Sequence, residues 1–89
     1  MNLAGIAATL LQVKTDIDEL NGILNAKWAS TLSNLTLVNF TTDGTTNETL
    51  IEAINALDAL ADSLDSARDR GILFSTKVQE YLATIGVGE

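Results

Sequence analysis

Four aspartates, Asp58, Asp62, Asp65 and Asp69, follow a 4-3-4 spacing, which on a helix lines them along one face. Carboxylates aligned in this way could gather a divalent cation through oxygen ligands. Carboxylate di-metal sites in helical bundles combine such acids with Glu-x-x-His pairs, and this chain has no histidine. The simpler reading is a solvated stripe opposite the Leu57, Leu60 and Leu64 row, with Asp65 and Arg68 in register for a local ion pair. Nor does anything in the pattern predict the burial that would separate the pKa values of two carboxylates into acid and base. Ser63, Ser66, Ser75 and Thr76 could serve as nucleophiles with Lys14, Lys27 or Lys77 as base, yet none stands in an elbow or loop motif that activates one. The six glycines are scattered, so no phosphate-cradling loop is present. These residues predict no catalytic side chain, no metal site and no cofactor.

Absence of cysteine and histidine also removes disulfides, thiolate chemistry and structural zinc as sources of stability. A chain of 89 residues makes one domain, spanning 1–89, and a lone domain of this size buries only roughly 60 to 65% of its unfolded surface. Self-association is the device left to it. Hydrophobic residues make up 46% of the sequence, but only Trp28, Phe40, Phe74 and Tyr81 are aromatic, so the apolar surface is mainly Leu, Ile and Ala.

Spacing gives the elements. Leu3, Ile6, Leu10, Val13, Ile17, Leu20 and Leu24 alternate by three and four residues, the heptad seam of a helix packed on other helices. Leu11 and Ile23 fall off this seam and widen it, and polar residues from Gln12 to Asn21 occupy the other face. Asn21-Gly22 is a turn signal, but the seam continues through it, which favours one helix from about 2 to 30, with a helix-turn-helix break at 21–22 as the alternative. The Thr/Asn-rich stretch Thr31 to Thr46 reads as the connection. Its Leu35 to Phe40 portion favours extended structure, so a short strand fits there, and Asp43-Gly44 marks a tight turn. Thr45 and Glu48 stand in capping-box relation, placing the start of the second helix near Thr46 or Asn47. From there Leu50, Ala53, Leu57, Leu60, Leu64, Ala67, Gly71, Phe74, Val78, Tyr81 and Ile85 continue the 3-4 alternation without a slip. Gly71 could kink this helix or admit another backbone closely, and Gly86 and Gly88 end it. The expected fold is all-α, a helical hairpin of two long amphipathic helices, about 2–30 and 47–85.

A helix rises 1.5 Å per residue, so the second helix would outrun the first by roughly 15 Å. That overhang would carry Phe74, Val78, Tyr81 and Ile85, which need a cover. Together with Leu35, Leu37 and Phe40 of the uncharged connection, these residues are the candidate interface.

Twelve acidic against five basic residues give a net charge of −7, which repels nucleic acid and anionic lipid. No base precedes Lys14 and the first apolar run is too short for a membrane span, so neither a signal peptide nor an anchor is expected. Cytoplasm, virion and signal-less export all fit. Asn34-Leu-Thr36, Asn39-Phe-Thr41 and Asn47-Glu-Thr49 match the N-glycosylation pattern, but in a Thr/Asn-rich segment composition alone supplies such matches.

Trp28-Ala29-Ser30 is similar to the Trp-x-Gly turn of the WXG100 family of small helical hairpins exported by type VII secretion without a signal peptide. The resemblance extends to size, acidity and hairpin shape. Ser30 replaces the glycine, the connection is longer, and the residue four after Tyr81 is Ile85 where that family's export tail carries an acid. The expectation from the sequence is thus a non-catalytic structural or assembly protein, a small self-associating subunit of a virion, filament or similar particle. Its partners would be itself and other proteins of the same assembly, with no nucleic acid, membrane or small-molecule substrate. The alternative is a secreted or adaptor-type, WXG100-like interaction module, or an acidic inhibitor of a basic target.

Overall fold

The computed structural model describes residues 2–86, and these form an antiparallel hairpin of two helices, α1 (Leu3–Thr41) and α2 (Glu48–Thr84). Asn2 caps α1 by accepting from the Gly5 N–H, and Asn47 caps α2 by accepting from the Leu50 N–H at 3.0 Å. Thr45 serves one step earlier than the capping box predicts: its hydroxyl accepts from the Asn47 N–H. The turn closes through the Thr45 N–H to the Thr42 carbonyl, with Gly44 at φ +82°, a conformation that favours glycine. Gly86, at φ +75°, ends α2 in the same way, while Gly88 lies outside the described residues.

The first helix corrects the sequence reading. It does not stop near residue 30 but runs to Thr41 with no strand, so the connection shrinks to 42–47. Packing against α2 overrides the extended preference of this segment: Leu35 and Val38 prolong the row that faces α2. Thr31, Thr36 and Thr41 each donate their hydroxyl to the carbonyl four residues back, satisfying groups that otherwise compete with the helix. Asn21-Gly22 passes without a break, and with 39 and 37 residues the two helices match in length, so the predicted overhang does not exist.

The facing rows share half of the expected seam. Along α2 the rows toward α1 are Leu50, Ile54, Leu57, Ala61, Leu64, Arg68, Gly71, Ser75, Val78 and Leu82, continued by Ile85 at its C-cap, with Asp65, Phe74 and Tyr81 partly covered beside them. In α1 the rows toward α2 are Ala7, Leu10, Lys14, Ile17, Asn21, Leu24, Trp28, Thr31, Leu35 and Val38, continued by Thr42 at its C-cap, with Ile6 partly covered beside them. With Leu10 and Leu50 as position a of a heptad, the helices meet through a and e, whereas the sequence pattern points to a and d. Leu60 is accordingly 49% exposed and its neighbour Ala61 1%. Only Ala7, Ala61, Ser75, Val78 and Leu82 are fully buried among the described residues.

Candidate functional site

Because the a/e seam takes in polar residues, the middle of the hairpin carries a polar layer. The Ser75 hydroxyl, buried between the helices, donates to Asp18 Oδ1 at 2.5 Å, and Lys14 Nζ donates to Asp18 Oδ2 at 2.7 Å. The lysine contact and then the serine bond hold the Asp18 carboxyl below its ordinary pKa. Here two of the sequence candidates, Lys14 and Ser75, do come together. An acid held ionised by a paired ammonium is a poor base for a serine proton, however, and the arrangement works as a cross-link between helices.

One turn further along, the Asn21 side chain lies over Gly71. A Cβ on residue 71 would stand 2.8 Å from Asn21 Cγ and closer still to its Oδ1, so any larger residue at 71 requires the Asn21 amide to move. Gly71 therefore admits a side chain, not a second backbone. Asn21 Oδ1 is itself buried without a hydrogen-bond partner in the hairpin.

Next comes Arg68. It donates to Asn25 Oδ1 at 2.9 Å and pairs with Asp65 and Asp69, and its guanidinium lies 4.6 Å from the centre of the Trp28 ring. Trp28 thus belongs to the helix interior, facing α2. It marks no turn, which removes the basis of the similarity to a Trp-x-Gly turn.

Of the aspartate stripe, Asp58 and Asp62 point to solvent while Asp65 and Asp69 engage Arg68. Among the described residues no three acidic side chains converge as metal ligands would. Lys77 pairs with Glu80 on the surface. Ser63, Ser66, Thr76 and Lys27 are exposed, as are Asn34 and Asn39 of the Asn-x-Thr matches.

The expected interface residues divide. Leu37 and Phe40 are 62% and 83% exposed, and Leu35 is half-buried in the helix seam. Val78 is buried with Ala7 and Leu82, and Phe74, Tyr81 and Ile85 pack against that cluster, so α1 of the same chain contributes the cover that the overhang argument assigned to a neighbour. The sequence reading missed Lys14, Asn21, Arg68 and Ser75 as seam residues. Their signal is the seven-residue rows Lys14, Asn21, Trp28, Leu35 and Ile54, Ala61, Arg68, Ser75, Leu82, which mixed polarity hides from a hydrophobic pattern search.

Among the described residues no helix is long and apolar enough to cross a membrane. No protein-family model, no curated protein and no solved structure matches this chain, so its function is argued from the hairpin alone.

Proposed function

We propose that this chain is a non-catalytic, self-associating subunit of a larger protein assembly. The observation that supports this reading most is how much apolar side chain the hairpin leaves outside. Leu3, Val13, Leu20, Ile23, Leu60, Ile72 and Leu73 are all at least 37% exposed, whereas among the described residues four hydrophobic ones make up the fully buried core. Accessible surface totals 6254 Å² for a 9.4 kDa chain, against about 5,000 Å² for a compact monomer of that mass. Two helices side by side, 61 Å long and 16 to 20 Å across, cannot enclose an interior. Copies of the same chain offer matching apolar area without a second component. Among the described residues, Ser75 bonded to Asp18 and Arg68 bonded to Asn25 tie one helix to the other.

Size-exclusion chromatography with light scattering, over a wide range of protein concentration, tests the proposal. A defined multimer is expected. A chain that stays monomeric at the highest concentration refutes it and favours an adaptor that needs a different partner.

A further inference from the structure

The two broad faces of the hairpin differ, and the difference assigns one of them to a second copy. In an antiparallel pair joined through a and e, the d positions of both helices flank the seam on one face and the b positions flank it on the other. The b side is fixed by contact, since Asp18 (b) bonds Ser75 and Asn25 (b) bonds Arg68. At b it carries Asp58, Asp65 and Gln79 together with Leu11, Leu32, Ile51 and Ile72, which are 38 to 50% exposed, so what sets the two sides apart is charge, not exposed apolar area. The d side carries Ile6, Val13 and Leu20 from α1 and Leu60, Phe74 and Tyr81 from α2. Val13, Leu20 and Leu60 are 37%, 45% and 49% exposed, and Ile6, Phe74 and Tyr81 are partly so.

Charge follows the same division. Every acidic residue of the two helices except Asp16 occupies b, c or f, while the five bases sit at d, e or g. The net charge of −7 is therefore turned away from the d side, and two such sides can meet without the repulsion that the whole molecule predicts. Area suffices too. The broad face measures 61 by 20 Å, more than the roughly 800 Å² per partner of a standard interface.

We infer that the d faces of two copies pack together as a four-helix bundle, with both turns at the same end. This rests on the self-association proposed above and specifies its surface. The orientation follows from where the apolar residues lie. Asp18 is level with Ser75 and Asn21 with Gly71, so Ile6, Val13 and Leu20 stand level with Tyr81 and Phe74, in the half remote from the turn. Turns at one end superpose these halves, whereas turns at opposite ends lay α1 on α1 and would set Ile6, Val13 and Leu20 against Lys27 and Asn34, also at d, while Phe74 and Tyr81 would meet Leu60 and Ala53. The same register places Asp16 level with Lys77, on opposite flanks of one hairpin. Face to face, α1 of one copy lies over α2 of the other, and Asp16 meets Lys77 of the second copy at both rims.

Sedimentation of the full chain tests the face. Leu20→Glu with Leu60→Glu, on the d side, is expected to raise the dissociation constant roughly a hundredfold or more, with helical circular dichroism retained. Leu32→Glu with Ile72→Glu, similarly exposed on the b side, is expected to leave it within a few fold. If the parent associates and the d-side variant associates as tightly, the face is wrong while self-association stands; if the parent is monomeric, both fail. Cross-linking keeps the test open should the glutamates unfold the chain. Because the protein has no cysteine, a mixture of Asp16→Cys and Lys77→Cys chains is expected to oxidise to a mixed disulfide dimer that neither chain forms alone. Equal cross-linking in the single-variant samples overturns the arrangement.

Discussion

Gly71 in the middle of α2 is expected to resist replacement by alanine, although an exposed helix interior normally gains about 1 kcal/mol from that change. The reason is Asn21. A Cβ at residue 71 would be 2.8 Å from Asn21 Cγ, inside van der Waals contact, and moving the amide in a packed seam costs roughly 1 to 3 kcal/mol. The two effects oppose, so Gly71→Ala should be neutral to about 2 kcal/mol destabilising. Asn21→Ala removes both the obstruction and a buried carbonyl oxygen without a partner, and exchanges asparagine for the best helix former. The double variant should therefore be more stable than the parent by about 1 kcal/mol or more. The signature is the coupling, because the clash exists only where Asn21 faces a methyl group at position 71, and the double-mutant cycle should return about 1 to 3 kcal/mol. Urea unfolding followed by circular dichroism, with all four proteins at one fixed concentration, gives these values. If Gly71→Ala alone stabilises the chain by the full helix-propensity gain and the cycle closes near zero, Asn21 does not sit on Gly71. The register of the hairpin would then be wrong, together with the pairing of Asp16 and Lys77 built on it.

Three further outcomes follow from the seam. Ala61→Asp should cost several kcal/mol and unfold the hairpin, because residue 61 is 1% exposed between the helices, whereas Leu60→Asp should leave the circular dichroism helical; equal damage from both would contradict the a/e packing. Asp18 has a folded-state pKa below its unfolded value, so its contribution is present above the unfolded pKa and is lost as pH falls through the folded one. Asp18→Asn should accordingly flatten the fall in melting temperature on the acid side of about pH 4, and an unchanged slope would count against the Lys14 and Ser75 contacts. Arg68→Met keeps length but removes the guanidinium from Trp28 and Asn25; the fluorescence of this single tryptophan should shift and stability should drop by about 1 to 2 kcal/mol, while an unaltered spectrum would refute the stacking.

How much of this was legible in the sequence differs between α1, α2 and the turn. Two long amphipathic helices, the Asp43-Gly44 turn, the start of α2 and its end at Gly86 all follow from local signals that local structure obeys. The length of α1 was not legible, because Leu35 to Phe40 has the composition of a strand and becomes helical through contact with a helix far away in sequence. Position a of each heptad was also legible, as Leu10, Ile17, Leu24, Leu57 and Leu64 show. The second row was misassigned by one residue throughout. Apolar spacing identifies residues that avoid water, but it cannot tell which of two apolar neighbours faces the partner helix of the same chain. Gly71 fell at a in either reading, yet its reason, the side chain of Asn21, depends on a long-range register that no local pattern encodes.

The misassigned row has a physical cause that bears on assembly. A hairpin joined through a and d would bury Leu20, Leu60 and Val13, but it would expose Ala61, Leu82 and Ala7, and it would lose the Asp18 to Ser75 and Arg68 to Asn25 bonds. Joining through a and e instead buries small residues in the seam, Ala7, Ala61 and Ser75, and sets Gly71 under the Asn21 side chain. Larger side chains of row d then remain beside the seam. Row a, with d on one flank and e on the other, makes a three-sevenths apolar face, the width a helix needs when it has neighbours in two directions. A two-helix hairpin supplies a neighbour in only one. The sequence pattern thus gives each helix two apolar flanks, and the stronger apolar row, d, is the one left outside the hairpin, where the proposed contacts between chains would form.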